Sequence, residues 1–248
     1  MKNNKVLIVE NISHEGHGLV GEILDENGLY FDIVDLSQGQ DFPNPAKYSA
    51  VFVFGGPSSA NDKTTRMNNE LKQIKQILSD GIPYFGICLG IQTLVKAAGG
   101  EVYRNDVKEI GFRDQKNKNF EIELTNEGKK DPIFFGIKSP MKIFHLHGET
   151  IKLNSNMKLL ATGKYCTNQV VKIGKNAYGF QGHLELTDSM LEEWITQDSD
   201  LKTINADSLR SDYSAIKSEY QNNTKTILNN FLEIANFKKL KSKIMIKI

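Results

Sequence analysis

At 248 residues, with 39% hydrophobic and 25% charged side chains, the chain has the make-up of an ordinary globular protein able to bury one sizeable core. Its 31 Lys and Arg against 30 Asp and Glu leave a formal net charge of +1, which argues against the strongly basic face of a dedicated nucleic-acid binder. Two cysteines make no disulfide framework, no apolar run reaches the length of a membrane span, and Met1-Lys2-Asn3-Asn4 leads straight into a strand-like run; a cytoplasmic protein with no signal peptide and no membrane contact is expected.

Lys5 to Glu10 is a continuously apolar first strand, as a sheet covered on both faces requires. Glu15 to Asn27 reads as a helix closed by Gly28, and Tyr30 to Leu36 as a second strand. Tyr48 to Phe54 is a third strand, stopped by Gly55-Gly56-Pro57-Ser58-Ser59, and Asn68 to Leu78 a helix with Leu71, Ile74, Ile77 and Leu78 on one face. Strands alternating with helices in this way point to an open α/β sheet with helices on both faces. From Gly100 to Gln181 the pattern turns to short strands: 101–103, 120–124, 142–146, 157–161 and 169–173, mostly antiparallel, with Ala177 to Gln181 returning to the main sheet. Helices resume at Asp188 to Thr196 and Ser211 to Asn236.

The stretch Ile82-Pro83-Tyr84-Phe85-Gly86-Ile87-Cys88-Leu89-Gly90-Ile91-Gln92 carries the chemistry. A short buried-strand run passes through a turn into a helix that closes at Gly99-Gly100, and Cys88 sits on the turn with a glycine two places to either side. That is the pattern of a nucleophile elbow, which lifts one side chain above the sheet edge. Ionising a thiol at neutral pH requires roughly 2 kcal/mol, whereas a helix N-terminus supplies about 0.3–1 kcal/mol, so the elbow needs an imidazole partner. Gln181-Gly182-His183-Leu184-Glu185 offers one after a strand-like run. Residues two apart on an extended segment face the same side, so Glu185 can orient the imidazole of His183 while its other nitrogen faces Cys88. Acyl transfer also needs oxyanion donors. The N–H of Leu89, just past the nucleophile, is one candidate; that of Gly56, at the end of the neighbouring strand, is the other. Gly55-Gly56-Pro57 by itself would do no more than turn the chain.

Gly-Gly-Pro after one strand, Gly-x-Cys-x-Gly-x-Gln after the next and a late Gln-x-His-x-Glu resemble the class I (triad) glutamine amidotransferases, and within them stand-alone proteins similar to the amidotransferase domain of GMP synthase. A Glu109-Ile110-Gly111 turn, the Asp131-Pro132-Ile133-Phe134 segment and Phe144-His145-Leu146-His147-Gly148-Glu149 share in the likeness, which spans roughly Lys5 to Leu191. The resemblance implies a flavodoxin-like, mostly parallel central sheet with helices on both faces, a small antiparallel section and C-terminal helices. It implies glutamine hydrolysis through a γ-glutamyl thioester, with Cys88 as nucleophile, His183 as base then acid, Glu185 as its orienter, Gly56 and Leu89 as oxyanion hole, and Gln92, Pro57 and His147 near the substrate. No cofactor or metal is expected. Residues 1–190 would form the amidotransferase-like domain, 191–237 a helical extension of it, and 238–248 a lysine-rich tail expected to be disordered. The substrate would be glutamine or another γ-glutamyl compound, with released ammonia passing to a separate synthetase; a γ-glutamyl peptide hydrolase, or a binding homologue of low turnover, remain alternatives.

The chain departs from the family pattern at Ile91, Gly182 and Leu184, positions expected in the substrate-pocket wall. His145 and His147 alternate on a strand and would suit a metal, but the sequence shows no third ligand. His14 and His17 read as surface loop histidines and Cys166 as a quiet buried thiol, while Gly163-Lys164-Tyr165 lacks the surroundings of a phosphate loop.

Overall fold

The structure, a computed structural model, describes residues 4–237, so the lysine-rich tail lies outside the described residues. Five strands run parallel: β1 (Lys5–Glu10), β2 (Tyr30–Asp35), β3 (Ala50–Val53), β4 (Tyr84–Ile87) and, much later, β11 (Ala177–Phe180). Between β4 and β11 come β5 (Glu101–Gly111), β6 (Glu121–Leu124), β7 (Met141–Lys142), β8 (His145–Lys152), β9 (Met157–Gly163) and β10 (Val170–Ile173). One nine-stranded sheet has the order β2-β1-β3-β4-β11-β10-β9-β6-β7, its second half antiparallel, and β5 pairs with β8 in a separate ribbon. The helices are α1 (Gly18–Glu26), α2 (Thr65–Asp80), α3 (Leu89–Ala97), α4 (Asp188–Gln197) and α5 (Ala206–Ile234). Among the described residues no helix is long and apolar enough to cross a membrane.

The two faces of the sheet follow from strand alternation. Val6 and Ile8 of β1 pack with Val20, Ile23 and Leu24 of α1 and with Ile227, Leu228 and Phe231 of α5, whereas Leu7 and Val9 face Met67, Ile74 and Ile77 of α2 and Leu94 and Val95 of α3. α5 thus shares the main core: the Phe231 ring meets Phe52 and Phe85 edge-on, at 5.2 and 5.1 Å between centroids. Thr64 caps α2 by accepting from the Met67 N–H at 3.1 Å, and Gly81 ends it in the left-handed region at φ 64°.

Two expectations change. Glu109-Ile110-Gly111 is not a turn; it is the end of the long strand β5, paired with His145 to His147 of β8 beyond a register shift. The single strand expected at 142–146 is divided between two sheets, β7 ending at Lys142 and β8 starting at His145. Ile143 and Phe144 between them are both buried, which hides the break from any hydropathy pattern.

Glu70 of α2 is fully buried, its Oε1 accepting from Asn11 Nδ2 at 3.3 Å. Burial pushes its carboxyl up to about 7, against smaller lowering effects of the Asn11 bond, the Arg66 charge and Thr93. The folded chain therefore keeps this proton between pH 4.5 and about 7, where the unfolded chain has released it, and stability falls across that window as pH rises. Glu70→Gln should raise the unfolding free energy by about 2–3 kcal/mol at pH 8 and by little at pH 4.5, as measured by urea denaturation.

Candidate active site

Cys88 lies between β4 and α3 with φ 53° and ψ −105°, a conformation that a non-glycine residue adopts only under constraint. The constraint is close packing. A Cβ at Gly90 would sit 2.2 Å from the Val53 carbonyl oxygen, and one at Gly86 would sit 2.5 Å from the Gly90 carbonyl oxygen. Only glycines allow β3, the end of β4 and the first turn of α3 to approach this closely. The Cys88 N–H donates to the Phe180 carbonyl at 2.8 Å, which fixes the elbow to the end of β11. Ile91 N–H and Gln92 N–H turn back to the Cys88 carbonyl, whereas the N–H groups of Leu89 and Gly90 open the helix, where no intrahelical acceptor exists.

β11 pairs with β4 in register, Gly179 opposite Gly86 and Phe180 opposite Ile87, so the chain emerging from β11 arrives beside the elbow. His183 Nδ1 and Glu185 Oε1 are 2.7 Å apart and both side chains are buried. The irregular segment that carries them is tied down by backbone and by α5. His183 N–H donates to the Phe144 carbonyl, Tyr220 hydroxyl to the His183 carbonyl, Thr224 hydroxyl to the Leu184 carbonyl, and Tyr213 hydroxyl to the Leu186 carbonyl. Leu184 N–H donates to the second Glu185 oxygen at 2.8 Å, holding the carboxylate as an acceptor on both sides.

Burial alone would push the His183 imidazole down, but the Glu185 carboxylate and the Cys88 sulfur act against it and hold the imidazole well above its usual value. Its Nε2 is buried and falls outside strict hydrogen-bond geometry, while the sulfur lies near enough to act on it by charge and hydrogen bonding. A loose nucleophile–base contact of this kind is common before substrate enters. The Trp194 and His183 rings meet in a T-shaped contact, 4.9 Å between centroids.

A cleft of about 470 Å³ opens above Cys88 at the carboxyl ends of β1, β3 and β4, where ligands collect in open α/β sheets. Gly56, Pro57, Cys88, Leu89, Gln92 and His147 all line it, so these sequence-derived candidates converge, while His183 and Glu185 are buried outside its lining. Gln92 Nε2 donates toward the Glu149 carbonyl and Gln181 Oε1, each at 3.4 Å, and His147 Nδ1 lies 3.1 Å from the Glu149 carbonyl oxygen.

The departures at Ile91, Gly182 and Leu184 do not shape this wall. Ile91 and Leu184 are buried in the two cores on either side of the sheet, and Gly182 lies under Ile143, against whose Cδ1 a Cβ would come to 2.6 Å. His14 is not simply a surface residue, since it lines the cleft; His17 Nδ1 is 2.9 Å from Glu10 Oε1. The fold also brings a third potential ligand, Glu109, to His145 and His147, so the histidine pair is not isolated as its sequence neighbourhood suggests. His147 Nε2 is 3.0 Å from Glu109 Oε2, and the Gln169 amide reaches both Glu109 Oε2 and His145 Nε2, at 3.2 and 3.5 Å. Glu15, in the polar loop before α1 and without any sequence motif, also lines the cleft. Cys166 is fully buried, and burial pushes its thiol up to about 11.

Comparison with known proteins gives the family. A family model described as glutamine amidotransferase class-I matches residues 17–199. The chain is 32% identical over 199 residues to the glutamine amidotransferase-like protein YfeJ of Salmonella typhimurium, which covers 77% of this chain and 80% of that protein. It is 29% identical over 198 residues to the glutamine-hydrolyzing GMP synthase of Borrelia garinii, covering 79% of this chain but 34% of the synthase. The crystal structure of a glutamine amidotransferase from Thermotoga maritima superposes with a TM-score of 0.82 at 27% identity, over 94% of this chain and all of that one.

The two cysteines should differ sharply in reactivity. At pH 7, limiting iodoacetamide should label Cys88 about 10²-fold faster than Cys166, read by peptide mass spectrometry.

Proposed function

The chain belongs to the class-I glutamine amidotransferase family, and from that premise we propose that it hydrolyses a γ-glutamyl amide through a thioester on Cys88. The observation that carries this reading is the buried 2.7 Å contact between His183 and Glu185, with the imidazole and the strained Cys88 elbow both bordering Gly55. The Cys88 sulfur attacks the side-chain carbonyl carbon, and the electron pair of the C=O bond moves to oxygen, facing the N–H groups of Gly56 and Leu89. Collapse breaks the C–N bond, and the His183 imidazolium gives its proton to the departing amine. Neutral His183 then takes a proton from water as the hydroxide oxygen attacks the thioester, and a second collapse returns the thiolate and releases the acid. Glu185 keeps Nδ1 protonated so that Nε2 faces the reacting atoms in both halves. Gln92, Pro57 and His147 hold the glutamyl portion in this reading, which their position in the cleft lining supports.

Glutamine is the first substrate to consider, its ammonia passing to a separate synthetase. The relatives described as glutamine-hydrolyzing GMP synthases favour glutamine; the chain spans about a third of their length. A γ-glutamyl peptide hydrolase is the second reading, favoured by a cleft whose 470 Å³ suits a ligand larger than one amino acid. A panel of glutamine and γ-glutamyl dipeptides separates the two. Glutamate release from the preferred substrate should fall about 10⁴-fold or more in Cys88→Ala and about 10²-fold or more in Glu185→Gln. Undiminished release from Cys88→Ala overturns the mechanism. A folded wild-type protein in which Cys88 takes no adduct from a glutamine-mimicking alkylator would instead indicate a binding homologue.

A further inference from the structure

Glu15 has no part in the reaction as written, yet it sits at its centre. The residue is partly exposed overall, but its Oε2 is buried and finds no hydrogen-bond partner. The direction of that oxygen can be read from Gly55. A Cβ there would lie 2.5 Å from Glu15 Oε2, 3.1 Å from His183 Cε1 and 3.4 Å from Cys88 Cβ. The carboxyl therefore faces the Cε1 edge of the imidazole and the nucleophile across the space left by one missing methyl group. The Glu15 main chain is anchored to the same wall, because Trp194 Nε1 donates to the Glu15 carbonyl at 3.3 Å while the indole packs on His183.

We propose that Glu15 is a positioning residue of the Cys88–His183 pair, its carboxylate replacing the thiolate as the counter-charge of the imidazolium once the sulfur has been acylated. The inference rests on the hydrolytic reading above for the steps at which it acts. Before attack, the imidazolium is balanced by the thiolate on one side and Glu185 on the other. In the tetrahedral intermediates the sulfur is a neutral thioether-like atom and its negative charge has moved to the oxygen facing Gly56 and Leu89. The imidazolium has then lost the anion on its Nε2 side, keeping only Glu185 at Nδ1, while it must still hold a proton for the leaving amine. Glu15 borders the ring at the edge that neither Glu185 nor the sulfur occupies.

The surrounding charges decide whether Glu15 can ionise there. Burial pushes its carboxyl up to about 7; the imidazolium of His183 lowers it, and the carboxylates of Glu185 and Asp198 raise it. His183 itself is faced by Glu185 and Cys88, by His145 from β8, whose imidazole burial keeps neutral, and by the hydroxyl of Tyr220 from α5, which burial also keeps protonated. The Glu15 carboxyl itself changes charge near neutrality. Ionised Glu15 stabilises the imidazolium, and the imidazolium equally favours ionised Glu15, so the two titrate as a coupled pair.

The test is a pH titration of the His183 Cε1–H resonance in the full-length chain labelled with ¹³C-histidine, the signal being assigned by its loss in His183→Gln. Glu15→Gln keeps the shape of the side chain and removes its charge, so His183 should lose its proton at a pH lower by about 0.5–1 unit. Glu15→Asp keeps the charge on a shorter arm and should move the midpoint by less than half as much. In steady-state hydrolysis the basic limb of the kcat profile should follow the same order. Equal midpoints in wild type and Glu15→Gln overturn the proposal, and so do equal shifts in Glu15→Gln and Glu15→Asp, which would reveal packing rather than charge. The resonance reports on His183 whether or not glutamine proves to be the substrate, so failure of the hydrolytic reading and failure of this inference give different results.

Discussion

The parallel pairing of β4 with β11 is the constraint on which the site depends. The two strands lie more than ninety positions apart in the chain, yet Ile87 opposes Phe180 and the Cys88 N–H bonds to the Phe180 carbonyl. Both strands end at the same sheet edge, so the segments that leave them are delivered to the same place. The segment leaving β4 presents a sulfur on a strained turn; the one leaving β11 presents an imidazole with its carboxylate. A register slip of one residue would turn each side chain to the opposite face and dismantle the site.

The strain at Cys88 is sustained by contacts that leave no alternative. Val53 and Gly90 approach across the space a side chain would need, and the buried apolar run of β4 holds the elbow against them. Polar groups at the bottom of the site are buried at a cost that must be met locally. Glu185 accepts from both the imidazole and the Leu184 N–H, and the carbonyls of residues 183, 184 and 186 all receive hydroxyl donors from α5. Loop backbone that would otherwise be unsatisfied in the interior becomes a rigid mount.

The elbow was legible in the sequence because glycine spacing around Cys88 has few other uses, and His183 with Glu185 because an imidazole and a carboxylate two positions apart just past a strand can meet, as they do on the irregular segment after β11. The alternation of strands and helices likewise gave the parallel half of the sheet. What escaped was everything that depends on non-local pairing. β5 runs on to Gly111 because β8 is there to receive it, and Glu109 joins His145 and His147 through that pairing rather than through any spacing of its own. Ile91 and Leu184 stand near the motif residues in sequence but are buried in the cores, and Gly182 is closed off by Ile143. Glu15 sits in a short polar loop with no periodicity to mark it, and only the gap at Gly55 reveals what it faces.

The three hydroxyls of α5 have a mechanical consequence. Tyr213, Tyr220 and Thr224 grip the strip of backbone that bears the imidazole, while the rest of the same helix, through Phe231, is wedged against the far strands. Because one helix is both seated in the main core and bonded to the strip that carries His183, the aim of the ring is tied to how that rod sits on the sheet.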